Sequence, residues 1–229
     1  MTKCGGAVKE RETVCTAEVS KKLTVYRVFW VFVLGSLLGD LVEVAFILLT
    51  KGELMSRSSL VYGPFSLVWG VGVVLMTLVF HKLDDQDSVP IFLLGAALGG
   101  VYEYVCSWFQ EWAFGACFWD YSHLPFNLNG RINLLFCIFW GAAAVLWVRW
   151  VYPALCQLIE RSPRTAGRRL AWVMAAFLLV STVLSAAALS RMDQRRAGEP
   201  AENVIEVFLD EHFPDERLQD RYRNMRAVE

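Results

Sequence analysis

Apolar residues run through this chain in five long blocks, near residues 25–48, 61–80, 90–111, 132–151 and 169–190. Crossing a hydrocarbon core takes about 20 residues of helix, and each block is long enough. Helix is the expected conformation, because backbone polar groups in lipid must be satisfied within their own segment. The pattern predicts an all-α, polytopic transmembrane helix bundle of about five spans.

Two of the blocks say nearly the same thing. Residues 32–43 align without gaps on residues 92–103, identical at six of twelve positions, including both glycines and the glutamate. Downstream, residues 69–75 match residues 140–146 at four of seven positions, and the offset grows from 60 to 71. The expectation is a duplicated helical hairpin, with repeats at about 28–80 and 88–151. Each copy holds two spans, so both keep one orientation and form parallel repeats.

Composition agrees: 55% of the 229 residues are hydrophobic, more than in ordinary soluble domains. The formal net charge of −1 says less than its distribution. Lys9, Arg11, Lys21, Lys22 and Arg27 precede the first span, and Arg161, Arg164, Arg168 and Arg169 separate the last two. The positive-inside rule makes that side cytoplasmic and predicts a multi-pass cell-membrane protein with a cytoplasmic N-terminus. The C-terminal tail then falls outside although it holds seven arginines. The six cysteines have no CxxC and no zinc spacing, and read as packing residues. No metal and no cofactor are expected.

Four regions follow. Residues 1–22 are a polar cytoplasmic arm, and 23–151 the duplicated body. Residues 152–190 hold a basic loop and the fifth span. Residues 191–229 are a charged, amphipathic tail, in which Val204, Ile205, Phe208 and Leu209 share one helical face. The tail suits either the membrane surface or a partner protein.

The candidate chemistry lies in the repeats. Gly35, Gly39 and Glu43 are spaced four apart and share one helix face, as do Gly95, Gly99 and Glu103. The glycines suit close helix packing, as grooves between the two repeats. The glutamates are ionisable groups inside apolar helices, hence candidates for a site. Arg57 follows the first span and Arg131 opens the fourth, each near a glutamate in height. The extra residues of the second repeat gather Trp119, Asp120, Tyr121 and Asn127 ahead of Arg131, as in a loop that caps the glutamates. The proposed set is Glu43, Arg57, Glu103, Trp119, Asp120, Tyr121, Asn127 and Arg131.

In combination, G-x-x-x-G-x-x-x-E, R-x(4)-Y-G-P, W-D-Y-S and N-G-R-I followed by W-G resemble the CmpB-type family of ABC-transporter permease-like proteins. These are small, mostly bacterial membrane proteins, and the resemblance covers roughly residues 28–152. Ser58 stands where the family usually has Gly, Leu67 where it often has Pro, and Trp69 where Tyr is common. The resemblance implies a transport component with a separate ATP-binding subunit.

Walker A, HExxH, GxSxG and Rossmann fingerprints are absent from the sequence, so no ATPase or hydrolase motif marks an enzyme. No nucleic-acid partner is expected; membrane lipid is. Three readings stand: a transport component with a Glu/Arg site near the outer leaflet, a membrane-embedded enzyme acting on a lipid or lipid-linked substrate, and a membrane scaffold or sensor.

Overall fold

The computed structural model describes residues 23–83 and 87–227. The expected N-terminal arm, residues 1–22, lies outside the described residues. The described residues form seven helices and two small two-stranded sheets.

The first helix, α1 (Val25–Lys51), starts at Thr24, whose hydroxyl accepts from the Arg27 N–H, and stops at Gly52 with φ 71°. It is followed by α2 (Leu67–Phe80), α3 (Ser88–Phe114), α4 (Leu134–Arg161) and α5 (Arg164–Arg196). Within α4, Trp147–Val151 is a π-helical stretch. Two short helices, α6 (Val204–His212) and α7 (Asp215–Arg221), make up the tail.

Four of these helices, α1, α3, α4 and α5, are long and apolar enough to cross a membrane. The block at 61–80 gives less helix than its hydropathy suggests. Its helix α2 has 14 residues, roughly 21 Å of rise, short of a core about 30 Å thick. The reason is local. Pro64 disfavours helix in the residue before it, and Gly63 adopts φ 81°, so residues 61–66 stay non-helical. The last two spans also differ from expectation. Helix α4 continues to Arg161 and α5 begins at Arg164, so the arginines expected in a loop sit on helix ends.

Such a non-helical segment needs partners for its backbone. The Ser58 hydroxyl lies 2.8 Å from the Gly63 carbonyl and accepts from the Leu60 N–H at 3.1 Å. From α5, Ser185 accepts from the Val61 N–H at 2.9 Å and Ser181 donates to the Tyr62 carbonyl at 3.3 Å. From α7, Arg221 donates to the Leu60 and Gly63 carbonyls at 2.8 and 2.6 Å.

Close helix packing falls where glycines remove side chains. Gly35 lies on Val73 and Gly39 on Trp69, joining α1 to α2; Gly95 lies on Ala144 and Gly99 on Trp140, joining α3 to α4, so the grooves lie within each hairpin and not between the two repeats as expected. The apolar residues left outside, such as Leu41, Phe46, Val101, Val105, Leu179 and Val183, form faces that suit lipid.

The tail folds back on the bundle. Leu209, Phe213, Leu218 and Tyr222 pack with Leu189 and Met192 of α5 and with Val61 and Phe114. Arg191 grips Asp210 through two nitrogens, each at 3.0 Å, and Arg195 reaches both Asp210 and Asp215. Strand β1 (Ala116–Cys117) pairs antiparallel with the C-terminal β4 (Arg226–Ala227). The hairpin of β2 (Asn127–Leu128) and β3 (Ile132–Asn133) lies between α3 and α4. Residues 52–66, 115–133 and the tail therefore gather at one end of the bundle.

Candidate functional site

Each glutamate of the two glycine-spaced helices accepts an indole N–H. Trp69 Nε1 donates to Glu43 at 3.0 Å, and Trp140 Nε1 donates to Glu103 at 3.1 Å. The two indoles stack on each other, with centroids 5.2 Å apart. Glu43 and Glu103 are thus joined through two tryptophans at the contact between the hairpins. Tyr102 seals one side, edge-on to Trp140, with its hydroxyl 2.7 Å from the Val68 carbonyl.

The second ligand of each carboxylate differs. Glu43 is half-buried and takes Arg57 Nε at 3.0 Å. Glu103 is 8% exposed and takes the Tyr121 hydroxyl at 2.6 Å. Among the described residues no cation pairs with Glu103. A carboxylate buried without a countercharge is costly. It therefore either holds a proton or is a place for a cation. Burial first, and then the Glu103 carboxylate, push the Tyr121 phenol well above its usual range, so it remains a donor.

The remaining expected residues build the loop that brings Tyr121 to the site. Arg131 meets Glu111, two turns beyond Glu103, and lies 5.7 Å over the Tyr104 ring. Its backbone carbonyl accepts from the Trp119 indole at 3.0 Å. Asp120 is bonded by the Ser122 hydroxyl and by the Ser122 N–H at 2.9 Å, and these bonds hold its carboxyl below the ordinary value. Asn127 donates to the Leu124 carbonyl at 2.7 Å and accepts from the Gly130 N–H at 3.0 Å. Glu43 with Arg57, and Glu103 with Tyr121, are therefore brought together; Trp119, Asp120, Asn127 and Arg131 shape the loop.

Three residues outside the sequence expectation complete the picture. Trp69 donates to Glu43 and Trp140 to Glu103. Asp40, one turn before Glu43, is 3% exposed, with one carboxylate oxygen unpartnered. The Arg57 N–H bonds it, and Arg221 and Arg57 are the cations that face it. The signal in the sequence is a second acidic residue in the first apolar block, where the aligned block has Gly100.

Among the described residues no cluster of His, Cys, Asp and Glu could hold a metal. The arrangement suits proton or cation handling at a desolvated carboxylate.

Comparison with known proteins places this geometry in a family. No curated protein and no solved structure matches the chain. Residues 30–186, more than half of the chain and including both glutamates, both tryptophans and the loop between α3 and α4, match the family model described as "Putative ABC-transporter type IV". The chain belongs to this CmpB-type family of membrane proteins.

Proposed function

We propose that the protein is the membrane-embedded component of a transporter that works with a separate ATP-binding subunit. The substrate path runs past Glu43 and Glu103, between two hairpins that arose by duplication. The observation that carries this reading is the matched pair of Glu–Trp bonds meeting in one tryptophan stack. The duplication is supported by equivalent packing in the two hairpins. The contacts Gly35–Val73 and Gly39–Trp69 are those of Gly95–Ala144 and Gly99–Trp140, at the offsets 60 and 71 of the alignment.

The differences between the halves give the path direction in chemistry. Glu43 is neutralised by Arg57, whereas Glu103 keeps only neutral donors. A proton, a metal-free cation or a substrate amine would gain its countercharge at Glu103, while the Arg57 side tolerates an anionic group. A zwitterionic or amphiphilic substrate fits both.

Orientation follows from charge. Arg27, Arg161, Arg164, Arg168 and Arg169 mark one end of the bundle, which we assign to the cytoplasm. The site then opens towards the outer leaflet. The arginines of the tail stand outside, where Asp210, Asp215 and Asp220 pair with three of the seven, Arg191, Arg195 and Arg223.

The test is purification of the intact protein in mild detergent with identification of bound proteins by mass spectrometry. A stoichiometric ATP-binding subunit is expected. Glu43→Gln and Glu103→Gln should abolish uptake or efflux in cells and leave that complex intact. Full transport by both variants would remove the site, and absence of any ATPase would turn the reading towards lipid chemistry.

A further inference from the structure

Two arginines of α7, Arg217 and Arg221, form no ion pair among the described residues, although Arg221 also faces buried Asp40. Arg191, Arg195 and Arg223 are each within ion-pair distance of an aspartate. Among the described residues no Asp or Glu pairs with Arg217 or Arg221. Both line a cavity of about 290 Å³ between the tail and the segment after α1. Arg217, Arg221 and Arg223 form one wall; Leu54, Met55 and Ser56 form the other. The single carboxylate in that lining is Asp220, so guanidinium charge exceeds carboxylate charge there.

The guanidiniums are held in place before any ligand arrives. Arg217 donates to the His212 carbonyl at 2.7 Å and lies 5.2 Å over the Phe213 ring and 5.7 Å over Tyr62. Arg221 is fixed by the Leu60 and Gly63 carbonyls. Each retains further N–H donors. Asp220, the partner of Arg223, has a side chain 72% exposed and can turn to water when a better acceptor binds. Preorganised arginines lower the ordering cost of binding and match the paired oxygens of phosphate and carboxylate.

The opposite lip is apolar. Leu54 is 74% exposed, and Leu49 at the end of α1 is 86% exposed. Charge on one wall and apolar residues on the other describe a receptor for an amphiphile at the membrane boundary. We propose that this cavity binds an anionic head group, a phosphate or a carboxylate, through Arg217, Arg221 and Arg223. Its lining residues make no hydrogen bond to Glu43 or Glu103, and only Arg221, which faces Asp40, lies between the cavity and the glutamate site.

The head group can belong to a membrane lipid or to a free anion, and one experiment separates them. The full-length protein is placed in nanodiscs of phosphatidylcholine, of phosphatidylcholine with phosphatidylglycerol, or of phosphatidylcholine with inorganic phosphate in the buffer. Hydrogen exchange is followed over residues 52–63 and 213–223. Protection that rises with phosphatidylglycerol alone identifies a lipid head group, and protection that rises with phosphate in neutral discs identifies a free anion. In either case Arg223→Gln should raise the half-effective ligand level by about tenfold, and Arg217→Gln should do the same. Among the described residues Arg223 hydrogen-bonds only exposed Asp220, with Glu53 acting on it at longer range, so Arg223→Gln should leave the fold intact and decides the matter if Arg217→Gln misfolds. Protection that is equal in all three media, or that Arg223→Gln leaves unchanged, overturns the proposal.

Discussion

A carboxylate held by an indole and a phenol differs from one held by an indole and a guanidinium. Glu43 has the guanidinium and Glu103 does not. Removing the Tyr121 hydroxyl leaves Glu103 with a single donor in a buried place. Tyr121→Phe should therefore destabilise the protein by about 1–3 kcal/mol, the cost of a buried polar group losing its partner. Thermal unfolding in detergent measures it, and an unchanged midpoint would mean that water already reaches Glu103. The glutamates were legible from sequence because an ionisable residue in an apolar helix is conspicuous. Their donors were not. Tryptophan near a membrane boundary has an ordinary reading as a belt residue, and nothing in a one-dimensional pattern says where an indole N–H points. Arg131 shows the same limit. Its height on the bundle put it near Glu103, but Glu111 lies two turns further along α3, on much the same face, and takes the charge instead.

At the scale of elements, two glycines set how closely the helices approach. A methyl group at Gly39 would stand 2.1 Å from the Trp69 ring, and one at Gly99 would stand 2.2 Å from Trp140. Neither neighbour can yield without moving the indole that bonds a glutamate. Gly39→Ala and Gly99→Ala should each cost about 1–3 kcal/mol, as overpacking does. They should also lower transport, and Gly39→Ala with wild-type stability and activity would show that α1 and α2 can slide apart. The repeat in the sequence marked these glycines as contact points, since it preserved both glycines and both Trp-Gly pairs, but it suggested grooves between the repeats, whereas each pair packs against the second helix of its own hairpin. The length of α2 was less so. Hydropathy counts residues 61–66 as part of a span, whereas Gly63 and Pro64 keep them out of the helix. The polar residues that make this tolerable, Ser58, Ser181, Ser185 and Arg221, come from three places in the chain. Ser58 and Trp69, two departures from the family pattern, both make polar contacts here.

At the scale of the molecule, the tail is a clasp held by ions and by the cluster around Phe213. The Arg191 guanidinium, and then Arg195, hold the Asp210 carboxyl below its usual value. A carboxyl whose folded pKa is depressed stabilises the folded form above its unfolded pKa and loses that effect as pH falls through the folded one. Docking of α6 and α7 should therefore be constant from neutral pH down to about pH 4 and weaken below it. Hydrogen exchange of residues 204–221 across that range would measure this, and release already at pH 6 would assign the clasp to another group. Sequence reasoning expected an amphipathic tail. It could not foresee that only Leu209 of the apolar face in α6 is buried, because periodicity marks a face without naming what covers it.

The reach of Arg221 has a consequence for biogenesis. It bonds the carbonyl of Gly63 across 158 positions of sequence. At roughly 5–20 residues per second of synthesis, the turn at Gly63 waits about 10–30 s for its arginine. During that interval the Ser58 hydroxyl is the side-chain partner of the Gly63 carbonyl, and the guanidinium arrives only when α7 docks. Docking of α7 is thus a late, long-range step that closes a turn formed early in synthesis.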